Sequence, residues 1–140
     1  MRLPERLARV LELAQDVESR SGSVQQTARE RLRRRAEQLK QETGILDEAR
    51  LHQEIVIAAD RLDIAEELVR LRSHVGHFEL TLADAGPGKP VGRRLDFLLQ
   101  EMGREANTLG AKGADAGAAH LVVELKTELE RMREQVQNVE

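Results

Sequence analysis

Cysteine, tryptophan and tyrosine are absent from this 140-residue sequence, and phenylalanine occurs twice. Without cysteine there is no disulfide scaffold, thiolate metal site, cysteine nucleophile or thiol redox role, which fits a reducing cytoplasm. Two phenylalanines cannot fill a β-sandwich or barrel core, which draws on aromatic and β-branched residues. No apolar run approaches the ~20 residues that span a bilayer, and Met1-Arg2-Leu3-Pro4 leads into no signal peptide. The formal charge of −3 excludes a bulk polycation, so any nucleic-acid surface is a local patch.

What remains favours helices. Leucine, alanine, glutamate, arginine and glutamine dominate, all good helix formers, and 34% of residues are charged. The hydrophobic share of 40% is too high for disorder and supports one modest core, or two small helical lobes. Neither an internal repeat nor a heptad seam sustained over three or four heptads is present. Three breaks punctuate the chain. Ser19 to Ser23 reads as a short flexible link, Thr43-Gly44 as a glycine helix stop, and Ala83 to Gly92 as a loop too rich in proline and glycine for a helix.

Six helices are expected between these breaks. The first carries Leu3, Leu7, Val10, Leu11, Ala14 and Val17, with Pro4 in its first turn. The second carries a thin stripe of Val24, Ala28, Leu32, Ala36 and Leu39. Asp47 caps a third with Leu51, Ile55, Ala58, Ala59 and Leu62. Asp63-Ile64-Ala65-Glu66 has capping-box form and opens a fourth, running to about Leu82. A fifth spans roughly Gly92 to Leu109, and a sixth His120 to Val139. Short links between such helices predict an all-α fold, an antiparallel bundle or set of hairpins with long helices. The division expected is a helical connecting region over 1–44 and a C-terminal helical domain over 45–140.

The second helix is basic. Arg29, Arg31, Arg33, Arg34, Arg35 and Lys40 outnumber Glu30, Glu37 and Glu42. This is either a phosphate-contacting arm or a solvated face laced with i,i+4 ion pairs.

At about 100° per residue, the fourth helix buries Ile64, Leu68, Leu71, Val75, Phe78 and Leu82. The opposite side carries Asp63, Glu66, Arg70, Ser73, His74 and His77, flanked by Glu67 and Arg72. Carboxylates and an imidazole at helical spacing can hold a divalent cation, or let His74 carry a proton. An incidental surface histidine fits the same spacing. The fifth helix buries Leu95, Leu98, Leu99, Met102, Ala106 and Leu109. Its other face holds Arg93, Phe97, Gln100, Arg104, Asn107 and Thr108, with Asp96 and Glu101 at the edges. A phenylalanine among arginines and amides marks a second contact surface, for a subunit or for unstacked RNA bases. The sixth helix reads as core, with Leu121, Leu125, Leu129, Met132, Val136 and Val139. Gly110 to Gly117 lacks the strand and the Lys-Ser/Thr of a phosphate loop and reads as a hinge. His52-Gln53-Glu54 lacks the second histidine of a zinc protease, and no serine sits in a nucleophile elbow.

Gly92-Arg93-Arg94-Leu95-Asp96-Phe97-Leu98-Leu99-Gln100-Glu101-Met102, followed by Arg104-Glu105-Ala106-Asn107-Thr108, resembles the signature of the YicC/YloC family. Glu124-Leu125-Lys126 and Glu130 through Glu140 resemble that family's C-terminus, and Arg61 through Val75 is similar as well. The resemblance implies the C-terminal helical half of a metal-dependent, manganese-favouring endoribonuclease that assembles into hexamers around an RNA channel, with neither membrane nor DNA as partner. It implies His74, Glu66, Glu67, Glu101 and Glu105 as catalytic residues. Asp63, Glu66, Glu67, His74, Glu101 and Glu105 become the candidate metal ligands. Arg70, Arg93, Arg94, Phe97, Gln100, Arg104, Asn107 and Lys112 become the RNA contacts. The chain departs from the family pattern at Gly103 (usually Asn), at Ala111 (commonly Ser) and at Gly113, Ala114 and Gly117, where the family is more polar. A non-catalytic oligomerisation or RNA-binding adaptor module is the competing function.

Overall fold

The structure, a computed structural model, describes residues 1–88, 90–112 and 116–139, without the side chains at 61, 62, 116, 117 and 139. The Gly113-Ala114 part of the glycine-rich segment and the Val139 end of the last apolar stripe therefore lie outside the description. Among the described residues every element is an α-helix: α1 (Leu3–Thr43), α2 (Glu48–Leu62), α3 (Ala65–Ala83), α4 (Gly92–Lys112) and α5 (Ala116–Val139).

Five helices stand where six were expected, because Ser19 to Ser23 does not interrupt α1. Serine and one glycine only weaken a helix, the glycine by about 1 kcal/mol relative to alanine. Ser19 Oγ donates to the Gln15 carbonyl at 3.0 Å, so its hydroxyl is satisfied inside the helix. Arg72 of α3 grips Gln15 and Glu18 just before the segment, and Gln25 just after it reaches the Ala59 carbonyl of α2. At 1.5 Å per residue α1 is about 60 Å long.

The other boundaries follow their local chemistry. Gly44 takes the left-handed conformation (φ 73°), and its N–H donates to the Lys40 carbonyl at 2.7 Å. Asp47 Oδ1 accepts from the Arg50 N–H at 3.1 Å, capping α2. Asp63 Oδ1 accepts from the Ala65 N–H at 2.9 Å, two residues on, instead of closing the expected box with Glu66. Glu66 turns to Arg70. Between α3 and α4 the chain turns through Pro87 and Gly88, whose φ of 82° suits glycine.

The first half of α1 with α3, α4 and α5 forms a four-helix bundle. Ion pairs and hydrogen bonds give the directions. Arg6 meets Glu128 and Arg9 meets Glu124, Arg72 meets Glu18, Arg70 meets Glu105, and Arg133 meets Asp96. With Gly110 against Val122, and Pro4 and Leu7 beside Glu79 and Leu82, each adjacent pair is antiparallel, in the ring order α1, α5, α4, α3. Phe78, Leu71, Met102, Leu109, Leu125 and Met132 are fully buried at its centre. The stripes expected on the first part of α1 and on α3, α4 and α5 are the buried ones, with Leu3, Leu11, Leu82 and Leu121 at the margin, whereas those of Val24 to Leu39 and of Leu51 to Ala59 are half-buried or exposed apart from Ile55. On α5, Ala118 and Val122 are buried as well.

The remainder of α1 projects from the bundle and pairs with α2 as a hairpin arm. Among the described side chains nothing on α1 beyond Val17 is buried, and on α2 Ile55 alone is. Leu39, Ile45, Val56 and Ile57 are exposed apolar residues of this arm. Arg29, Arg31, Arg33, Arg34, Arg35 and Lys40 are all exposed, and none is ion-paired among the described residues.

Candidate functional site

The two polar strips inferred separately on α3 and α4 are the walls of one seam. Antiparallel packing sets the register: Arg94 Nε donates to Thr81 Oγ1 at 3.2 Å, and Arg70 Nε donates to both oxygens of Glu105 at 3.1 Å. Lys112 Nζ donates to Glu67 Oε1 at 2.7 Å at the far end. In this register His74 lies one turn along α3 from the Arg70–Glu105 bridge, and Glu101 one turn along α4 from it. Glu67, Arg70, His74 and Thr81 recur at i, i+3, i+7 and i+14, which a helix puts on one side. Arg94, Glu101, Glu105 and Lys112, at i, i+7, i+11 and i+18, likewise share one side of α4.

Electrostatics knit this seam. Arg70 contacts three carboxylates: Glu105, Glu66 at 3.4 Å and Glu67 at 3.7 Å. Its guanidinium is held above its ordinary pKa by the Glu105 hydrogen bond first, with Glu66 and Glu67 adding to it. Burial pushes the Glu67 carboxyl up, but the Lys112 hydrogen bond and the charges of Lys112 and Arg70 prevail and leave it lowered. Lys112 is raised in return, chiefly by its hydrogen bond to Glu67, with Asp63 and Glu66 contributing at longer range. Glu67 and Glu105 are 3% and 8% exposed, so the carboxylate expected at the edge of the fourth helix's strip and the one implied by the resemblance alone are both interior groups. Glu67 Oε2 is buried without a hydrogen bond.

The other candidates are placed as follows. Asp63 and Glu66 are exposed at the start of α3, and His74 is half-buried with no ion pair among the described residues. Glu101 is half-buried and meets Arg104 at 3.4 Å. Arg93, Phe97 and Arg104 form an exposed crest on α4, with Phe97 58% exposed as the wheel required. Gln100 and Asn107 lie on the far flank of that crest, in a groove facing α5. The seam thus gathers Glu66, Glu67 and Glu105 around the Arg70 guanidinium, with Lys112 on Glu67, while Gln100 and Asn107 belong elsewhere.

Among the described residues no three histidine or carboxylate side chains converge so as to hold a metal ion. Glu67 and Glu105 already have cationic partners. A divalent cation bound here would need oxygen ligands from outside these residues.

Sequence reasoning missed Glu128, 8% exposed, which accepts from Arg6 and Arg131 and ties α1 to α5. It also missed the α4–α5 groove. The available signal was the run Gln100, Gly103, Asn107 at i, i+3, i+7, matched by Lys126, Glu130 and Arg133 on α5.

The family described as endoribonuclease YicC-like, C-terminal, matches residues 17–140. The probable endoribonuclease YicC of Clostridioides difficile (strain 630) is 45% identical over 126 residues, covering 90% of this chain and 42% of that protein. The protein of the same name from Haemophilus influenzae (strain ATCC 51907 / DSM 11121 / KW20 / Rd) is 41% identical over 138 residues, covering 99% of this chain and 46% of its own length. The chain therefore spans less than half the length of these two relatives. No helix among the described residues is long and apolar enough to cross a membrane.

Proposed function

The chain belongs to the family of YicC-like endoribonuclease C-terminal domains, and from that premise we propose that it is the RNA-engaging, catalytic part of an endoribonuclease that cleaves single-stranded RNA. The observation that carries this reading is the half-buried His74, free of an ion pair among the described residues and one helical turn from the Arg70–Glu105 bridge. An imidazole with no fixed partner is free to take or give a proton at the attacking hydroxyl or the leaving oxygen. Arg93, Arg94 and Arg104, with Arg70 and Lys112 in the adjoining bridges, supply bidentate or point-charge contacts to phosphates.

Manganese belongs to the proposal only in company with RNA. Hard divalent cations are commonly held by one or two carboxylates together with substrate phosphate oxygens. Glu66, whose side chain is 84% exposed, is the carboxylate most open to that role. The unpaired cations of the arm favour the phosphate-contacting reading of α1, and the exposed apolar residues Leu39, Ile45, Val56 and Ile57 support self-association. A cytoplasmic site of action fits the absence of cysteine.

The same seam supports one other reading, an RNA-binding adaptor without chemistry, because Glu67 and Glu105 are both engaged by cations. His74→Ala separates the two. In the protein joined to the N-terminal domain that the resemblance implies, with manganese and a labelled unstructured RNA, the variant should keep its helical circular dichroism and lose cleavage. Full activity in the folded variant would sink the catalytic reading and leave the adaptor.

A further inference from the structure

Helix α4 has a second working flank. Across the crest from the seam, it faces α5 over a groove of about 210 Å³. The floor is apolar, made by Leu99 and Leu129, at 4% and 5% exposure. The rim is polar and comes from both helices: the amides of Gln100 and Asn107 on α4, and Lys126 and Arg133 beside Glu130 on α5. Asp96 holds the rim in place. Its Oδ2 accepts from Gln100 Nε2 at 3.0 Å, and its Oδ1 lies 3.3 Å from Arg133 Nε as a charge contact.

Gly103 forms the middle of the α4 wall, and a Cβ there would meet nothing within 4 Å. Glycine weakens a helix interior relative to alanine. No neighbour requires it, so what it supplies is open space above the apolar floor.

We propose that this groove receives one unpaired nucleobase of the RNA strand, whose phosphate lies on Lys126 and Arg133; the proposal rests on the endoribonuclease reading. A base edge needs mixed donors and acceptors, which the amide rim provides, and its face would lie over the narrow leucine floor in the space that Gly103 leaves open. The cations on α5 match the charge of the adjoining phosphate. A strand leaving the seam would cross the crest at Arg93, Phe97 and Arg104 before reaching the groove, which gives these exposed residues a common track. An amphipathic protein helix would require a continuous apolar trough, which this charged rim interrupts.

The test uses a labelled hexamer of unstructured RNA, the same hexamer carrying abasic riboses, and a nucleoside monophosphate. Gly103→Leu fills the groove, whereas Gly103→Ala strengthens the helix and leaves the groove open. Gly103→Leu is expected to bind the RNA hexamer about tenfold more weakly, the size of one lost base contact. Gly103→Ala should bind as the parent does, and the abasic hexamer should not distinguish the three proteins. In nitrogen-edited NMR spectra of the parent, the side-chain amides of Gln100 and Asn107 should shift on addition of the RNA hexamer. Unchanged binding by a folded Gly103→Leu protein overturns the proposal. So does an equal loss for the abasic hexamer, which would reduce the groove to a phosphate contact. A monophosphate that binds as tightly as the hexamer also overturns it, in favour of a free-nucleotide site. None of these readouts involves cleavage, so the pocket can fail while the nuclease reading stands, and His74→Ala can fail while the pocket stands.

Discussion

Replacing Lys112 by leucine exposes how the seam manages a buried charge. In the native chain Lys112 Nζ lies 2.7 Å from Glu67 Oε1, and 4% of the Glu67 side chain is exposed. The substitution keeps the burial that disfavours the carboxylate and removes the hydrogen bond that most offsets it. Arg70, at 3.7 Å, is the cation that remains. Stranding a buried acceptor costs about 1–3 kcal/mol. That figure belongs to the Glu67 carboxylate, since the lysine itself passes between a solvated pair and water.

The sign with pH follows from the direction of the shift. Glu67 is lowered in the native chain, so it contributes stability above the ordinary carboxylate value of about 4.3, lost as pH falls through its folded value. In Lys112→Leu the carboxyl moves up, and the folded state resists ionisation. The loss relative to the native chain should be largest near pH 7 and shrink toward pH 4, where protonation relieves the stranded group. Urea unfolding followed by circular dichroism at the two pH values measures this. Glu67→Leu is the counterpart: its freed ammonium reaches water, and the change should be nearly neutral. A Lys112→Leu loss at pH 7 below about 0.5 kcal/mol, within the range of an ordinary surface change, would refute the reasoning. A loss equal at both pH values would refute it as well.

Core and arm should respond differently to truncation. Leu125→Ala, at a fully buried position, should cost about 2–5 kcal/mol in urea unfolding, whereas Leu39→Ala on the arm should stay within about 0.5 kcal/mol. Equal effects would contradict the division into bundle and arm. The continuity of α1 has a spectroscopic ruler. Spin labels at the exposed positions Glu12 and Arg34 should lie about 33 Å apart along one helix, in a narrow distribution. A shorter, broad distribution would restore a flexible link at Ser19 to Ser23.

Helix type, the stop at Gly44, the cap at Asp47 and the apolar stripes were legible in the residues alone, because 3.6-residue periodicity and capping are local. So was the exposed Phe97, which its own wheel excludes from the core. What the residues left open is which helices are neighbours, and that decided the rest. Ser19 to Ser23 has the composition of a link, yet Arg72 before it and Ala59 after it brace α1 into one helix, contacts from residues 34 or more positions away. The strips on α3 and α4 could each be drawn on a wheel, but their meeting as one seam depends on a register across 35 residues of chain. Glu67 sits at a strip edge, where a wheel cannot separate solvent from a neighbouring helix, Glu105 lies on no strip, and packing made both interior carboxylates held by Lys112 and Arg70. A helical period names the face a residue occupies; only the bundle determines what that face meets.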